Sequence, residues 1–192
     1  MGLAMLVLAA CSSAEPADDV PSATVPTAPA TTTTTDPYAV PAVIDEAYVN
    51  RVLAGLDAAV GDVVRMVVRT RTIPREGVQR LKAVYGTDAQ LDQILDSLSR
   101  DVARGLPGYR TDPGNKLTLV TELVATSGSC IFAKVERDFN AVSANPVPNA
   151  VHWVVLKPRD ANRDPDSINA VGWVLVYEGF EEGRKPPVNP CA

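Results

Sequence analysis

The stretch TDAQLDQILDSLSRDVARGLPGYRTDPGNKLTLVTELVAT, residues 87–126, contains the change of hydrophobic period that decides the fold. In its first half the apolar residues recur at three- and four-residue steps, which places them on one face of a helix. Thr87 and Gln90 precede this face with the spacing of a capping box, in which Thr87 is the N-cap. Gly105 and Pro107 end the helix, and 117–126 is rich in the β-branched residues of a strand. The stretch predicts helices before this point and strands after it.

Two more helices are predicted upstream. Between residues 45 and 68 the apolar residues again follow a helical period, which indicates either one long helix or two helices meeting at Gly61-Asp62. Pro74 marks a break and opens a short helix over 75–85, which Gly86 ends.

The remaining chain reads as strands over 130–139, 151–157 and 171–180. In the first of these Ile131, Ala133 and Val135 alternate with charged residues, and in the last Trp173, Leu175 and Tyr177 are expected on one face. Helices followed by strands predict a single α+β domain over 43–192, with amphipathic helices packed on one face of an antiparallel sheet of about four strands.

The N-terminus has the character of an export signal. Residues 1–10 are predicted to be a signal peptide, and their apolar run from Leu3 to Ala10 is too short to cross a bilayer, which needs about 20 residues. Leu8-Ala9-Ala10-Cys11 resembles a lipobox, and that resemblance implies a chain cut before Cys11 and diacylated on its thiol. Met1-Gly2 lacks the basic residue that begins a signal peptide, so we expect a truncated signal whose true start lies upstream. The alternative is an apolar terminus with a chance cysteine.

A stalk is predicted over 11–42. Ser, Ala, Pro, Thr and Asp dominate it, and it has too few large apolar side chains to offset the entropy of ordering. Its prolines favour an extended conformation that would hold the domain away from a membrane. The threonine run 31–35 resembles O-glycosylated linkers of actinobacterial lipoproteins, and an unmodified spacer is the alternative. The four acidic residues of the stalk account for most of the net charge of −5, so the nearly neutral domain offers no electrostatic case for nucleic-acid binding.

Two cysteines remain when Cys11 is assigned to the lipid. An even pair in an oxidising compartment usually bridges, so Cys130 and Cys191 are predicted to form a disulfide that holds the tail against the sheet. The alternative is two unpaired thiols. A catalytic Cys130 is disfavoured because the chain has one histidine to serve as its base.

The order of elements is similar to that of the nuclear transport factor 2-like superfamily. The resemblance covers roughly 45–180 and implies a curved sheet around a helical layer, with a conical pocket between them. Members of that superfamily also insert a strand among the helices, which this sequence does not show. A plain two-layer helix–sheet sandwich is the alternative. In this combination of anchor, stalk and domain the chain resembles actinobacterial envelope lipoproteins of unknown function.

The resemblance also suggests pocket residues. Arg137 falls in register with the apolar side chains of its strand, so it would point into a pocket, with Glu122 as the partner of its buried charge and Tyr177 beside it. The alternative is that Arg137 reaches water at the end of its strand. Trp153 and Trp173 are expected in the core.

No catalytic, metal or cofactor site is predicted. The lone histidine, His152, is expected to be structural or on the surface, and zinc would need more ligands than the chain can supply. The acidic stretch 159–166 lacks the glycine and distal glutamate of a calcium loop, so it is interpreted as a solvated connection. No phosphate-binding or dinucleotide fingerprint is present.

These patterns favour a membrane-anchored lipoprotein on the extracytoplasmic face of the cell membrane. Its domain is expected to be a non-enzymatic binding or accessory module with an envelope protein, glycan or lipid as partner. The alternative from another class is a small pocket enzyme of the ketosteroid-isomerase kind that uses a buried carboxylate. A third reading, a structural spacer, would require a domain without a concavity.

Overall fold

The computed structural model describes residues 36, 38–160, 169–180 and 188–192. These residues form an α+β domain in which three helices precede a four-stranded antiparallel sheet, as the sequence predicts. The first helix begins well inside the chain, at Glu46. The elements are α1 (Glu46–Thr70), α2 (Arg75–Val84), α3 (Asp88–Ala103), β1 (Leu117–Ser127), β2 (Cys130–Asp138), β3 (Ala150–Pro158) and β4 (Trp173–Phe180).

The helix α1 is continuous through Gly61-Asp62. Asp45 caps it by accepting a hydrogen bond from the Tyr48 N–H at 2.8 Å, and Arg71 ends it in the left-handed conformation with φ 58°. Gly61 is required by a close approach, since a Cβ there would lie 2.1 Å from Asn115 Oδ1. The glycine therefore admits the loop before β1 against the helix and does not break it.

The short helices have the predicted boundaries. α2 follows Pro74, and α3 follows Thr87, whose hydroxyl accepts a hydrogen bond from the Gln90 N–H at 3.3 Å. The capping prediction is thus confirmed for the N-cap. The Gln90 side chain itself has a different use, described below.

Each strand pairs with its neighbours in sequence, in the order β1-β2-β3-β4, and the sheet is open. We call the helix-covered side of the sheet the inner face. It contributes Ile131, Ala133 and Val135 from β2 and Val154 and Leu156 from β3 to the main core. The opposite side is the outer face.

An irregularity in β4 reverses its alternation. Leu156 pairs with Leu175, but the preceding Val155 pairs with Tyr177, so Val176 is an extra residue of a β-bulge. Trp173 and Leu175 lie in the main core, whereas Tyr177 lies opposite the outer-face residue Val155. The prediction that Trp173, Leu175 and Tyr177 share a face is therefore wrong for Tyr177, because one added residue inverts every later side chain.

The outer face has its own small apolar cluster. Cys130, Phe132, Trp153 and Val155 are buried there, and Cys191 packs against them. A disulfide joins Cys130 to Cys191 across 61 residues, with a Cα–Cα distance of 5.5 Å. The tail is thus tethered to the outer face, as the sequence predicts.

Contacts with the domain begin before the predicted boundary at residue 43. The Tyr38 carbonyl accepts a hydrogen bond from the Tyr48 hydroxyl at 3.0 Å, and that hydroxyl accepts one from Trp173 Nε1 at 2.7 Å. The predicted signal peptide 1–10, Cys11 and most of the predicted stalk 11–42 lie outside the described residues. Among the helices that are described, none combines the length and apolar character needed to cross a membrane.

Candidate ligand-binding pocket

A pocket of about 540 Å³ lies between the helices and the inner face of the sheet. Its walls are largely apolar, and its charged and hydroxyl groups include Tyr85, Lys116, Arg137 and Glu178. The apolar walls come from all three helices and the segment after β2 and include Val60, Val63, Val64, Leu81, Ile94, Leu98, Phe139, Val142 and Val147.

Arg137 occupies the inner face of β2, opposite Thr118 on β1 and Ala150 on β3. Only 3% of its surface is exposed, and its guanidinium forms an ion pair with Glu178. The structure therefore places Arg137 in the lining of the pocket and not in solvent at the end of its strand. Burial lowers the pKa of Arg137, while Asp57 and Tyr85 act to raise it.

The other two predicted pocket residues lie elsewhere. Glu122 is exposed and pairs across the strands with Lys134, and Tyr177 is 42% exposed. Two register shifts in β1, between Val120 and Glu122 and between Leu123 and Ala125, alter its alternation. The correction has the same cause in both strands, since bulges change which side chains face inward.

Glu178 is positioned by the bulge and by α3. With its amide oriented to satisfy its neighbours, Gln90 donates to the Leu175 carbonyl at 2.8 Å and accepts from the Glu178 N–H at 3.2 Å. The Gly86 N–H also donates to the Leu175 carbonyl, at 2.7 Å. These bonds satisfy backbone groups at the bulge, so the α2–α3 corner fixes the register that turns Glu178 toward Arg137.

A second ion pair lies beside the first. Lys116 Nζ is 3.4 Å from Asp57 Oδ1, and both side chains are largely buried. Burial and then the positive charge of Arg137 lower the pKa of Lys116 to about 8, against the opposing effect of Asp57. Lys116 is therefore still mostly charged at pH 7.

His152 lies at the base of this cluster. It is fully buried on the inner face, and its Nδ1 is 3.3 Å from Glu178 Oε1. Burial, followed by the charges of Arg137 and Lys116, lowers the pKa of His152 to about 4. The imidazole is thus neutral at pH 7. Of the two expected positions for His152, structural or on the surface, the structure shows a buried one.

Tyr85 ends α2 and supplies a hydroxyl to the pocket. Burial, opposed by Arg137 and assisted by Asp57, raises the pKa of Tyr85 to about 12, so the phenol keeps its proton at neutral pH. A protonated phenol can both donate and accept a hydrogen bond.

Three buried polar atoms near the ion pairs have no hydrogen-bond partner within the part of the chain that the structure describes. They are Asp57 Oδ2, Thr118 Oγ1 and Arg137 Nε. A buried polar group without a partner costs about 1–3 kcal/mol. Of these three residues only Arg137 is among those that line the pocket, so its Nε–H is the unused donor there.

Sequence reasoning missed Asp57, Tyr85, Lys116 and Glu178. A signal was available for Asp57, because it follows Val49 and Leu53 at helical spacing and so interrupts the apolar face of α1. The inward position of Glu178 had no sequence signal, since it depends on the bulge.

No group of three or more metal-ligating side chains occurs among the described residues. Most of the acidic connection 159–166 lies outside them. No family model, curated protein or solved structure matches this chain.

Proposed function

We propose that this chain is a lipoprotein anchored through Cys11 to the extracytoplasmic face of the cell membrane, and that its domain is a non-enzymatic module that binds an amphipathic small molecule. The observation that carries the binding role is the inner pocket, which combines apolar walls with a few convergent polar groups. Its volume of about 540 Å³ falls within the roughly 300–1,000 Å³ that is usual for small-molecule sites.

The lining of the pocket favours a ligand with an apolar body. Val60, Val64, Ile94 and Leu98 line it from the helices, while Arg137 and Glu178 come from the sheet. A ligand with an apolar body and a polar end would match both regions. A domain that served only as a spacer would have no need for such a concavity.

Location is supported by the cysteines. The disulfide between Cys130 and Cys191 suits an oxidising compartment outside the cytoplasm, where the lipobox-like sequence at Cys11 would also direct the chain. Two acyl chains on Cys11 would anchor the chain stably in the membrane. In this location, the ligand that we propose for the pocket is a lipid or lipid-like molecule of the envelope.

A nuclear transport factor 2-like fold forms part of the proposal. Helices that precede an antiparallel sheet, with a pocket between the two layers, support this likeness. A two-layer sandwich with a cleft is the alternative architecture.

Binding is tested with N-phenyl-1-naphthylamine, a neutral apolar fluorophore that brightens on leaving water. The full chain should show saturable fluorescence enhancement. Val60→Trp should abolish it by filling the pocket, whereas Val151→Trp on the exposed outer face should leave it unchanged. Absence of saturable binding, or equal binding by Val60→Trp, would refute a ligand-binding role for this pocket.

Anchoring is tested by growing cells with radioactive palmitate. The chain expressed with its native upstream region should take up label and remain with the membrane fraction. Cys11→Ser should lose the label and leave that fraction, and the matched variant Ser12→Ala should behave like the native chain. Persistent label on Cys11→Ser would end this part of the proposal.

A second candidate is a pocket enzyme of the ketosteroid-isomerase kind. The observation in its favour is that the pocket holds a carboxylate, Glu178, together with the protonated hydroxyl of Tyr85. We favour binding because Glu178 is already held by Arg137, so that proton abstraction would first have to disrupt an ion pair. Exchange of the α-hydrogens of a cyclic ketone with D₂O, followed by NMR and lost in Glu178→Gln, would instead establish the enzyme.

A further inference from the structure

The charges at the polar end of the pocket balance. Lys116 is paired with Asp57 and Arg137 with Glu178, and His152 lies beside Glu178 as a neutral imidazole at pH 7. Arg100 and Asp101, the other acidic and basic residues that line the pocket, contribute one charge of each sign. A ligand that brought a further charge to the buried end would meet no uncompensated partner, and an unpaired charge in such a site is costly.

Hydrogen-bonding groups are nevertheless available there. Within the part of the chain that the structure describes, the Arg137 Nε–H has no hydrogen-bond partner, and the Tyr85 side chain lines the same pocket. A polar group that both donates and accepts would complement this set without adding charge.

We propose that the pocket selects amphipathic molecules whose head group is uncharged and hydrogen-bonding, such as an alcohol or a glycerol ester, over the corresponding acids and amines. The inference rests on the proposed ligand-binding function and names the class of ligand. The head group is bound by Tyr85 and Arg137. Charged head groups are excluded because each buried charge of the two ion pairs is already neutralised by its own partner.

The test uses three ten-carbon compounds that differ in charge: decanol, decanoate and decylammonium. Each displaces N-phenyl-1-naphthylamine from the full chain at pH 7, below its solubility limit. Decanol should displace the probe at concentrations at least tenfold lower than either charged compound. Tyr85→Phe should weaken decanol binding several-fold, with each displacement curve corrected for that variant's own affinity for the probe.

Charge variants show whether the ion pairs set the preference. Glu178→Gln leaves one positive charge in excess and should improve displacement by decanoate at least threefold. Lys116→Gln leaves one negative charge in excess and should do the same for decylammonium, which keeps the test informative should either variant fail to fold. The matched control is Glu122→Gln, which removes the same charge from the exposed outer face and should not alter the order of the three compounds.

The outcomes separate the two proposals. Equal or tighter binding of decanoate or decylammonium by the native chain would overturn the uncharged-head inference and leave the pocket as a ligand site. Binding of the probe without displacement by any of the three compounds would overturn the inference as well. Failure of the probe to bind would instead remove the proposed function on which the inference rests.

Discussion

The two faces of the sheet bury their apolar residues by different means. On the inner face three helices cover a continuous core, and the polar residues within it are held in two ion pairs beside a pocket. On the outer face a much smaller cluster packs against Cys191, which a disulfide ties to the sheet. On the inner face the helices bury the apolar residues, and electrostatic and hydrogen-bonding complementarity stabilises the polar ones. On the outer face a covalent bond holds the covering segment in place.

The difference explains why the pocket is on the inner side. A cleft between two layers needs elements that remain apart; Gln90 ties the N-terminal corner of α3 to β4, while Ile94 and Leu98 farther along α3 line the pocket. We therefore expect a change on one face to alter the stability of the protein without altering the interactions on the other face.

The largest effect is expected from removing the disulfide. Cys130→Ala combined with Cys191→Ala opens a 61-residue loop, and the chain-entropy model gives a loss of about 4 kcal/mol in the free energy of unfolding. Urea denaturation measures this loss, which should be the same at pH 7 and pH 5. The pocket should still bind N-phenyl-1-naphthylamine at temperatures where the variant is folded. A strong pH dependence of the loss would show that the two faces are not independent.

Next in size is the loss of the inner ion pair. Glu178→Ala leaves the buried Arg137 cation without its partner and should cost about 3 kcal/mol in the free energy of unfolding. Arg137→Met combined with Glu178→Leu should be clearly more stable than the single variant, because no unpaired charge remains. Urea denaturation of the three proteins tests this, and equal stability of the single and double variants would contradict it.

Acidification should weaken the inner face through His152. Its pKa in the folded protein is about 4 and in the unfolded chain about 6.5, so between these values the unfolded state binds more protons. Stability is therefore present above pH 6.5 and falls as the pH is lowered, by about 2 kcal/mol between pH 7 and pH 5.

The comparison that isolates His152 is a pH series of urea denaturation on the native chain and on His152→Gln. The variant cannot titrate at this position, so its stability should change less over the same interval. Parallel curves for the two proteins would show that His152 is not the group responsible.

The smallest effect is expected at the bulge. Gln90→Ala removes the side-chain bonds to the Leu175 carbonyl and the Glu178 N–H and should cost about 1 kcal/mol. Gln93→Ala, on the same helix and at the pocket edge, is the matched control and should be nearly neutral. Thermal unfolding followed by circular dichroism would detect the difference, and an equal response of both variants would argue against the assigned role of Gln90.

The sequence predicted those parts of the fold that local patterns decide. The apolar stripes of α1 and α3, the cap at Thr87 and the strand alternation of β2 depend on residues a few positions apart. Of the residues at the candidate site, the sequence pointed to Arg137, which continues the inward alternation of β2. Glu122 and Tyr177 failed because both lie on strands whose alternation is altered by irregular pairing.

The order of helices and strands, the ends of α2 and α3 and the chemistry that lets Cys130 and Cys191 pair follow from the sequence, because periodicity, capping and thiol chemistry are local properties. Only the tertiary structure decided that Glu178 pairs with Arg137, that Lys116 meets Asp57 and that a pocket remains between the layers. These features depend on one extra residue in β4, held by bonds from the α2–α3 corner more than 80 residues earlier in the chain. No local pattern encodes such a register, since it exists only once the helices have packed on the sheet.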